Sequence, residues 1–271
     1  MMRALYTAAS GMRAQQTNVD NISNNIANVN TTAFKSQKTE FKSLLYQTIQ
    51  TRTTSANGEE KPIGAQVGLG TRVASNTTSY TQGALLEDES KSAFAIEGNG
   101  FFQVRGADGT TYYTRNGNFN WSIGPTGTTL TNTDGYPVLD SNGNTIVLPN
   151  NVNSEKAVVT TDGQVGYYNN AGAYVSMNRT IGLSQFNNPA GLEKAGSNLL
   201  RATNASGAAL NEATNANLTR SKIHQSYLEG SNVQVADEMV NLIVAQRAYQ
   251  LTSKAITTSD DMLEQANNLK R

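Results

Sequence analysis

The two ends of the chain carry matching seven-residue apolar repeats, and this constrains the fold more than any other feature. Near the N-terminus the pairs Leu5/Ala8, Met12/Gln15, Val19/Ile22 and Ile26/Val29 occupy successive a and d positions of a heptad. Near the C-terminus Val235, Leu242, Tyr249, Ile256 and Leu263 recur every seven residues, and Met239, Ala245, Ala248, Ala255 and Met262 widen the stripe. Most of the stability of such a helix comes from covering its apolar stripe. Two of them at opposite ends of one chain predict termini that come together and serve assembly.

The N-terminal repeat is written in poor helix formers. Residues ~3–29 include Gly11 and Asn at 18, 21, 24, 25 and 28. Each Asn costs up to about 0.7 kcal/mol relative to Ala and the Gly about 1, roughly 4 kcal/mol together. An apolar side chain returns about 1.5–3 kcal/mol only when it is buried, so order at this end requires a partner surface. At the other end Ser231–Gln234 reads as an S-x-x-Q capping box, opening a helix that runs to about Asn268. Its ~35 residues would extend about 50 Å, a length suited to a coiled coil.

Between the helices the character changes. Residues 46–84 are rich in Thr, Ser, Gly and Gln, with turns expected at Asn57-Gly58 and Lys61-Pro62, and read as an extended connector with a short strand near Gly70–Ala74. From 85 to 225, alternating pairs such as Phe94/Ile96, Phe102/Val104, Phe119/Trp121 and Ile146/Leu148 are separated by turn dipeptides. Asp108-Gly109, Asn116-Gly117, Asp134-Gly135, Asn142-Gly143 and Asp162-Gly163 are the clearest of these. The fold class expected is α+β: a discontinuous helical coiled-coil domain from residues 1–45 and 226–271, a connector over 46–84 and a β-rich middle domain over 85–225.

Composition favours assembly over chemistry. Formal net charge is zero, only 15% of residues are charged, and 32 Asn face a single His. Nucleic acid is not an expected partner, because binding it needs a large unbalanced positive charge. Self-association is electrostatically permitted. Cysteine is absent, which removes disulfides and thiolate metal sites. No run approaches the ~18 apolar residues of a membrane-spanning helix. The start, Met1-Met2-Arg3-Ala4-Leu5, leads into an amphipathic repeat instead of a signal-peptide core, so an extracytoplasmic destination would need export without a cleavable signal.

Catalytic, metal and cofactor roles find no foothold. Gly98-Asn99-Gly100 lacks the third Gly and the Lys-Ser/Thr ending of a phosphate loop and reads as a tight turn before Phe101-Phe102, of which one should enter the core and the other seal a surface. His224 is alone. Asp134 and Asp162 could be paired only by imagining a glycosidase, and both precede Gly in turns.

Three runs carry a family resemblance. The N-terminal SGMRAQQTNVDNISNNIANVNTTAFK, the central AIEGNGFFQV with YTRNGNF, and the C-terminal SNVQVADEMVNLIVAQRAYQLTSKAI resemble, in order, the signatures of bacterial flagellar rod and hook axial proteins. The segment Leu44–Gln50 and the polar stretch after it are similar to an extension of the distal-rod members, associated there with a straight, stiff shaft. Ala33 departs from the family's frequent Gly before Phe34-Lys35 and bears on a local bend.

The resemblance implies a non-enzymatic subunit of the basal body whose helical ends line a tube around an export channel. Its implied partners are copies of itself, proximal rod and hook proteins, and the surrounding envelope ring proteins. The expected assembly interface comprises Leu5, Met12, Val19, Ile22, Asn24, Asn25, Ile26, Asn28, Val235, Leu242, Tyr249, Ile256 and Leu263. Gln15 on the seam would either set helix register or sit at a tolerated edge; Arg247 and Tyr249 could reach a neighbouring subunit, Tyr249 alternatively packing in the core with its hydroxyl at the rim. Two alternatives remain: another rod or short hook subunit, and a secreted polysaccharide-active β-protein using Asp134 or Asp162.

Overall fold

The computed structural model describes residues 2–50, 64–124, 127–149, 152–169, 172–215 and 217–269. Its chain forms two compact units, one from residues 1–27, 37–78 and 234–271 and one from residues 28–36 and 79–233.

The first unit contains helix α1 (Met2–Ala27), helix α2 (Val235–Asn268) and strands β1 (Gln37–Ser43), β2 (Tyr46–Gln50), β3 (Ala65–Gly68) and β4 (Thr71–Thr78). Ala, Leu, Met, Gln and Arg give the first half of α1 its intrinsic helicity. The Asn-rich second half is held by burial of Ile22 and Asn25. Past Ala27 the chain turns, with the Thr31 amide donating to the Asn28 carbonyl at 3.1 Å.

The start of α2 differs from the capping-box expectation. Gln234 is the N-cap, extended in backbone and without a side-chain cap bond. The Ser231 hydroxyl instead accepts from the Val233 amide at 3.2 Å, a local turn that competes with capping. Asp237 and Glu238 in the first turn supply the favourable charge at this helix end.

The described parts of residues 46–78 are paired strands, β4 taking in the short strand expected near Gly70–Ala74. β1 pairs antiparallel with β4 from Gln37↔Thr78 to Ser43↔Thr71, with a bulge at Glu40/Phe41, and β2 pairs with β3 from Tyr46↔Gly68 onward. The Leu44 amide donates to Gly70 O at 2.9 Å and the Leu69 amide to Leu45 O at 3.1 Å, so the two pairings make one ribbon. Thr-rich strands with one open face lack the apolar alternation that announces a strand, although Thr itself favours the extended state. The expected turns at Asn57-Gly58 and Lys61-Pro62 lie outside the described residues.

The second unit is β-rich. Strands β5 (Leu85–Glu87), β6 (Phe94–Glu97), β7 (Phe101–Arg105) and β8 (Thr111–Thr114) open it. A six-stranded antiparallel sheet runs in the order Glu193–Gly196, Leu199–Arg201, β8, β7, Leu183–Gln185, Leu210–Asn211. Two three-stranded meanders join it, and β5 and β6 pair with Tyr227–Glu229 and Lys222–Gln225. Phe101 and Phe102 are both buried, so neither merely seals a surface. Phe102 packs edge-on to Phe119 at 5.1 Å in the main core, and Phe101 belongs to a second cluster with Tyr113, Phe186, Leu192 and Leu200.

Gly109, Gly135, Gly143 and Gly163 turn at positive φ, near +80°, as their dipeptides require. Asn116-Gly117 does not turn this way. A Cβ on Gly117 would stand 1.7 Å from the Phe94 carbonyl oxygen, so this Gly permits a backbone crossing.

Candidate assembly surface

Helices α1 and α2 run antiparallel within the first unit. Two contacts fix this: Thr252 Cγ2 lies beside Gly11, and Asn25 Nδ2 donates to Glu238 Oε1 at 3.3 Å. The less exposed positions of α2 trace one stripe through Leu242, Ala245, Thr252, Ile256, Ser259 and Leu263. On α1, Ile22 is buried, and Leu5, Met12, Val19 and Ile26 are half-buried. Val235 and Tyr249 keep 41% and 40% of their surface, so they lie at the edge of that stripe.

The Asn cluster divides by partner. Asn25 is 1% exposed; its Oδ1 accepts from the Gln37 amide at 3.0 Å and its Nδ2 donates to the Gln37 carbonyl at 2.9 Å. A carboxamide both donates and accepts, so Asn25 extends β1 by one side-chain pairing and ties it to α1. Asn21 Nδ2 donates to Thr39 Oγ1 at 2.5 Å. Asn28 Oδ1 accepts from the Thr31 hydroxyl at 3.1 Å, while Asn24 is exposed. Burial beside Asn25 raises the Glu238 carboxyl above its usual range, against the opposing Asn25 hydrogen bond. Gln15 Oε1 is shielded and has no hydrogen-bond partner among the described residues.

The unclaimed apolar surface lies on the other side of α2. Met239, Val240, Ile243, Val244, Leu251 and Met262 are 52–69% exposed. At about 100° per residue, Val240, Val244, Leu251 and Met262 fall within roughly 40° of one another, turned away from Leu242, Ala245 and Ile256. Fitting one heptad register hides this second stripe. The run MVNLIV betrays it, because apolar residues on both sides of Leu242 cannot share a single face. The ribbon adds Leu45 (81% exposed), Tyr46 and Ile49. An open groove of about 560 Å³ is lined by Gly11, Ala14, Gln15, Phe41, Gly70 and Thr252. Arg247 is exposed, with its Nη1 3.5 Å from Gln250 Oε1.

The candidate polar residues of the β unit take turn or surface positions. Asp134 and Asp162 are exposed beside Gly135 and Gly163. His224 Nε2 lies 2.8 Å from Glu97 Oε2, and this hydrogen bond, ahead of nearby Lys222, holds the Glu97 carboxyl below its usual range. No group of three metal-ligating side chains occurs among the described residues, and no described helix is long and apolar enough to cross a membrane.

A long helix with two apolar faces, only one of them covered among the described residues, is a feature that assembling structural subunits share. Three family models match: flagella basal body rod protein over residues 5–35, flagellar hook protein FlgE/F/G D1 domain over 95–167, and flagellar basal body rod FlgEFG protein C-terminal over 224–269. The flagellar basal-body rod protein FlgG of Borreliella burgdorferi is 42% identical over 272 residues, 100% of both chains. Its Bacillus subtilis namesake is 39% identical, and the B. subtilis flagellar hook-basal body complex protein FlhP 31% identical, each again over the whole of both chains. The chain belongs to the flagellar basal-body rod protein family and is a structural component of the basal body.

Proposed function

We infer that the chain is an axial subunit of the distal rod, whose copies stack head to tail into a shaft that transmits torque from motor to hook and encloses the export channel. A heterologous contact that does not close on itself yields a helical polymer. End-to-end similarity to basal-body rod proteins supports this reading, and the higher identity to FlgG than to FlhP within B. subtilis favours rod over a related hook-basal body subunit. Proximal rod and hook proteins at the two ends, surrounding envelope rings, export without a cleavable signal and the lack of catalysis belong to the same proposal. So does supercoiling of the terminal helices into a coiled coil, and so does the division into helical ends (1–45 and 226–271), a 46–84 segment and a middle domain (85–225).

The observation that carries the assembly surface is the outer stripe of α2. In this reading Leu5, Met12, Val19, Ile22, Leu242, Ile256 and Leu263 shape the helical pair, and Val240, Ile243, Val244 and Leu251 meet the neighbouring copy. Val244→Asp or Ile243→Asp should leave the purified chain folded but stop rods from forming, because a carboxylate would enter an apolar contact without a partner. Complete rods, seen by electron microscopy of basal bodies from such strains, would remove the stripe from the interface.

A further inference from the structure

The backbone passes between the two units at residues 27/28, 36/37, 78/79 and 233/234. Within the second unit, three of these passages are fastened to one another by polar groups. The Ser79 amide donates to Ser36 O at 2.8 Å, and the Asn232 amide to Phe34 O at 3.3 Å. The Asn232 side chain accepts from the Ser36 amide at 2.8 Å and donates to Ser79 O and Thr81 Oγ1, both at 2.9 Å. A carboxamide suits this position because it accepts from one passage while donating to another.

Three residues upstream lies Glu229, 0% exposed. Its Oε1 accepts from Lys35 Nζ at 2.5 Å and from the Gly83 amide at 3.0 Å, while Lys35 also donates to Thr81 O at 2.7 Å. The other carboxylate oxygen faces Arg115 Nε at 3.8 Å. Arg115 in turn donates to Gly98 O at 2.6 Å and lies over the Phe101 ring, which anchors the cluster to the β core. Buried ion pairs stabilise no better than well-packed apolar groups of similar volume, so stability alone does not account for this arrangement. Hydrogen bonds are directional, whereas apolar contacts hold many registers.

We propose that Lys35, Glu229 and Asn232 are positioning residues of a torque clamp that fastens the segments at residues 34–36, 79–83 and 229–232 of the second unit to one another, so that these segments bear load together. The clamp's contacts stand on the geometry; its mechanical role rests on the rod reading. Full-length Asn232→Ala and Glu229→Gln proteins would be compared with the parent by amide exchange, and the same changes introduced into the gene of a flagellated host.

In Asn232→Ala the Ser36 amide, which loses its acceptor, should exchange about tenfold faster, and so should the Ser79 amide, which donates to Ser36 O, with Phe102–Arg105 unchanged. In Glu229→Gln, where the neutral amide oxygen still accepts but no longer holds the Lys35 charge, the Gly83 amide should follow. Cells should build filaments and swim in dilute medium, yet slow or stall in polymer-thickened medium. Unchanged exchange at the passages would overturn the clamp. So would Asn232→Ala losing protection equally at Phe102–Arg105, which marks an ordinary folding residue, or loosened passages with full speed under load. A folded Asn232→Ala protein that builds no filaments would place the residue in assembly and likewise overturn it. Normal motility after deletion of the whole gene would instead sink the rod reading and leave the exchange result standing.

Discussion

At the scale of single residues, strain and burial leave measurable marks. Ala33 has φ +57°, in the left-handed region, with its amide donating to Glu229 O at 2.7 Å. A Cβ in this conformation costs about 1 kcal/mol or slightly more. Ala33→Gly should therefore raise the urea midpoint by about 1 kcal/mol of stability at constant slope, and a lower midpoint would contradict the strain. Tyr80 packs edge-on to Phe101, and burial pushes its phenol up from 10.0 to about 12. The unfolded chain then loses this proton first. Stability is fully present below pH 10 and falls through the window from 10 to about 12, at up to about 1.4 kcal/mol per pH unit. Tyr80→Phe should flatten that decline in alkaline denaturation curves; an unchanged slope would assign it elsewhere. Lys35 acts in the opposite sense, since burial lowers its ammonium more than Glu229 raises it, and the unfolded chain binds that proton more readily.

Among the elements, α1 illustrates how a weak helix is rescued. Its Asn residues detract from helicity, yet Asn25 and Asn21 bond to β1 and its apolar face meets α2, so the deficit is offset by contacts on two sides. Gln15 is the exception on that seam, with a shielded and unpaired Oε1. Gln15→Leu should stabilise the isolated chain by about 1 kcal/mol or more in thermal unfolding, because the cost of an unmet buried acceptor disappears. If the same variant assembles poorly, a donor from a neighbouring copy meets Gln15 in the rod; equal or lower stability of the isolated chain would show that Oε1 is already hydrated.

For the whole molecule, the proposed rod role predicts that residues 46–62, which resemble the extension of the distal-rod members, stiffen the assembled shaft. β2 and β3 flank residues 51–63 in the chain, which lie outside the described residues. Deleting residues 46–62 should leave amide protection of the β unit intact while shafts become more flexible or more curved. Curvature distributions from electron micrographs test this, and equally straight shafts after deletion would locate stiffness elsewhere, the buried cluster around Glu229 included.

The heptads, the positive-φ Asp-Gly and Asn-Gly turns and the three signature runs were legible in the residues because each is a local pattern with its own spacing. From these alone came the helical ends, the β-rich middle and the family. Tertiary structure decided the rest. It placed Leu242, Ala245, Ile256 and Leu263 of α2 on the covered stripe, with Val235 and Tyr249 at its edge, and left the second stripe open, since periodicity reports that a face is apolar but not what covers it. It turned a polar connector into a ribbon, replaced the S-x-x-Q cap with a local Ser231 turn, and buried both Phe101 and Phe102. It also brought Lys35 within 2.5 Å of Glu229, 194 positions away, because a buried charge must find its partner wherever the fold places one.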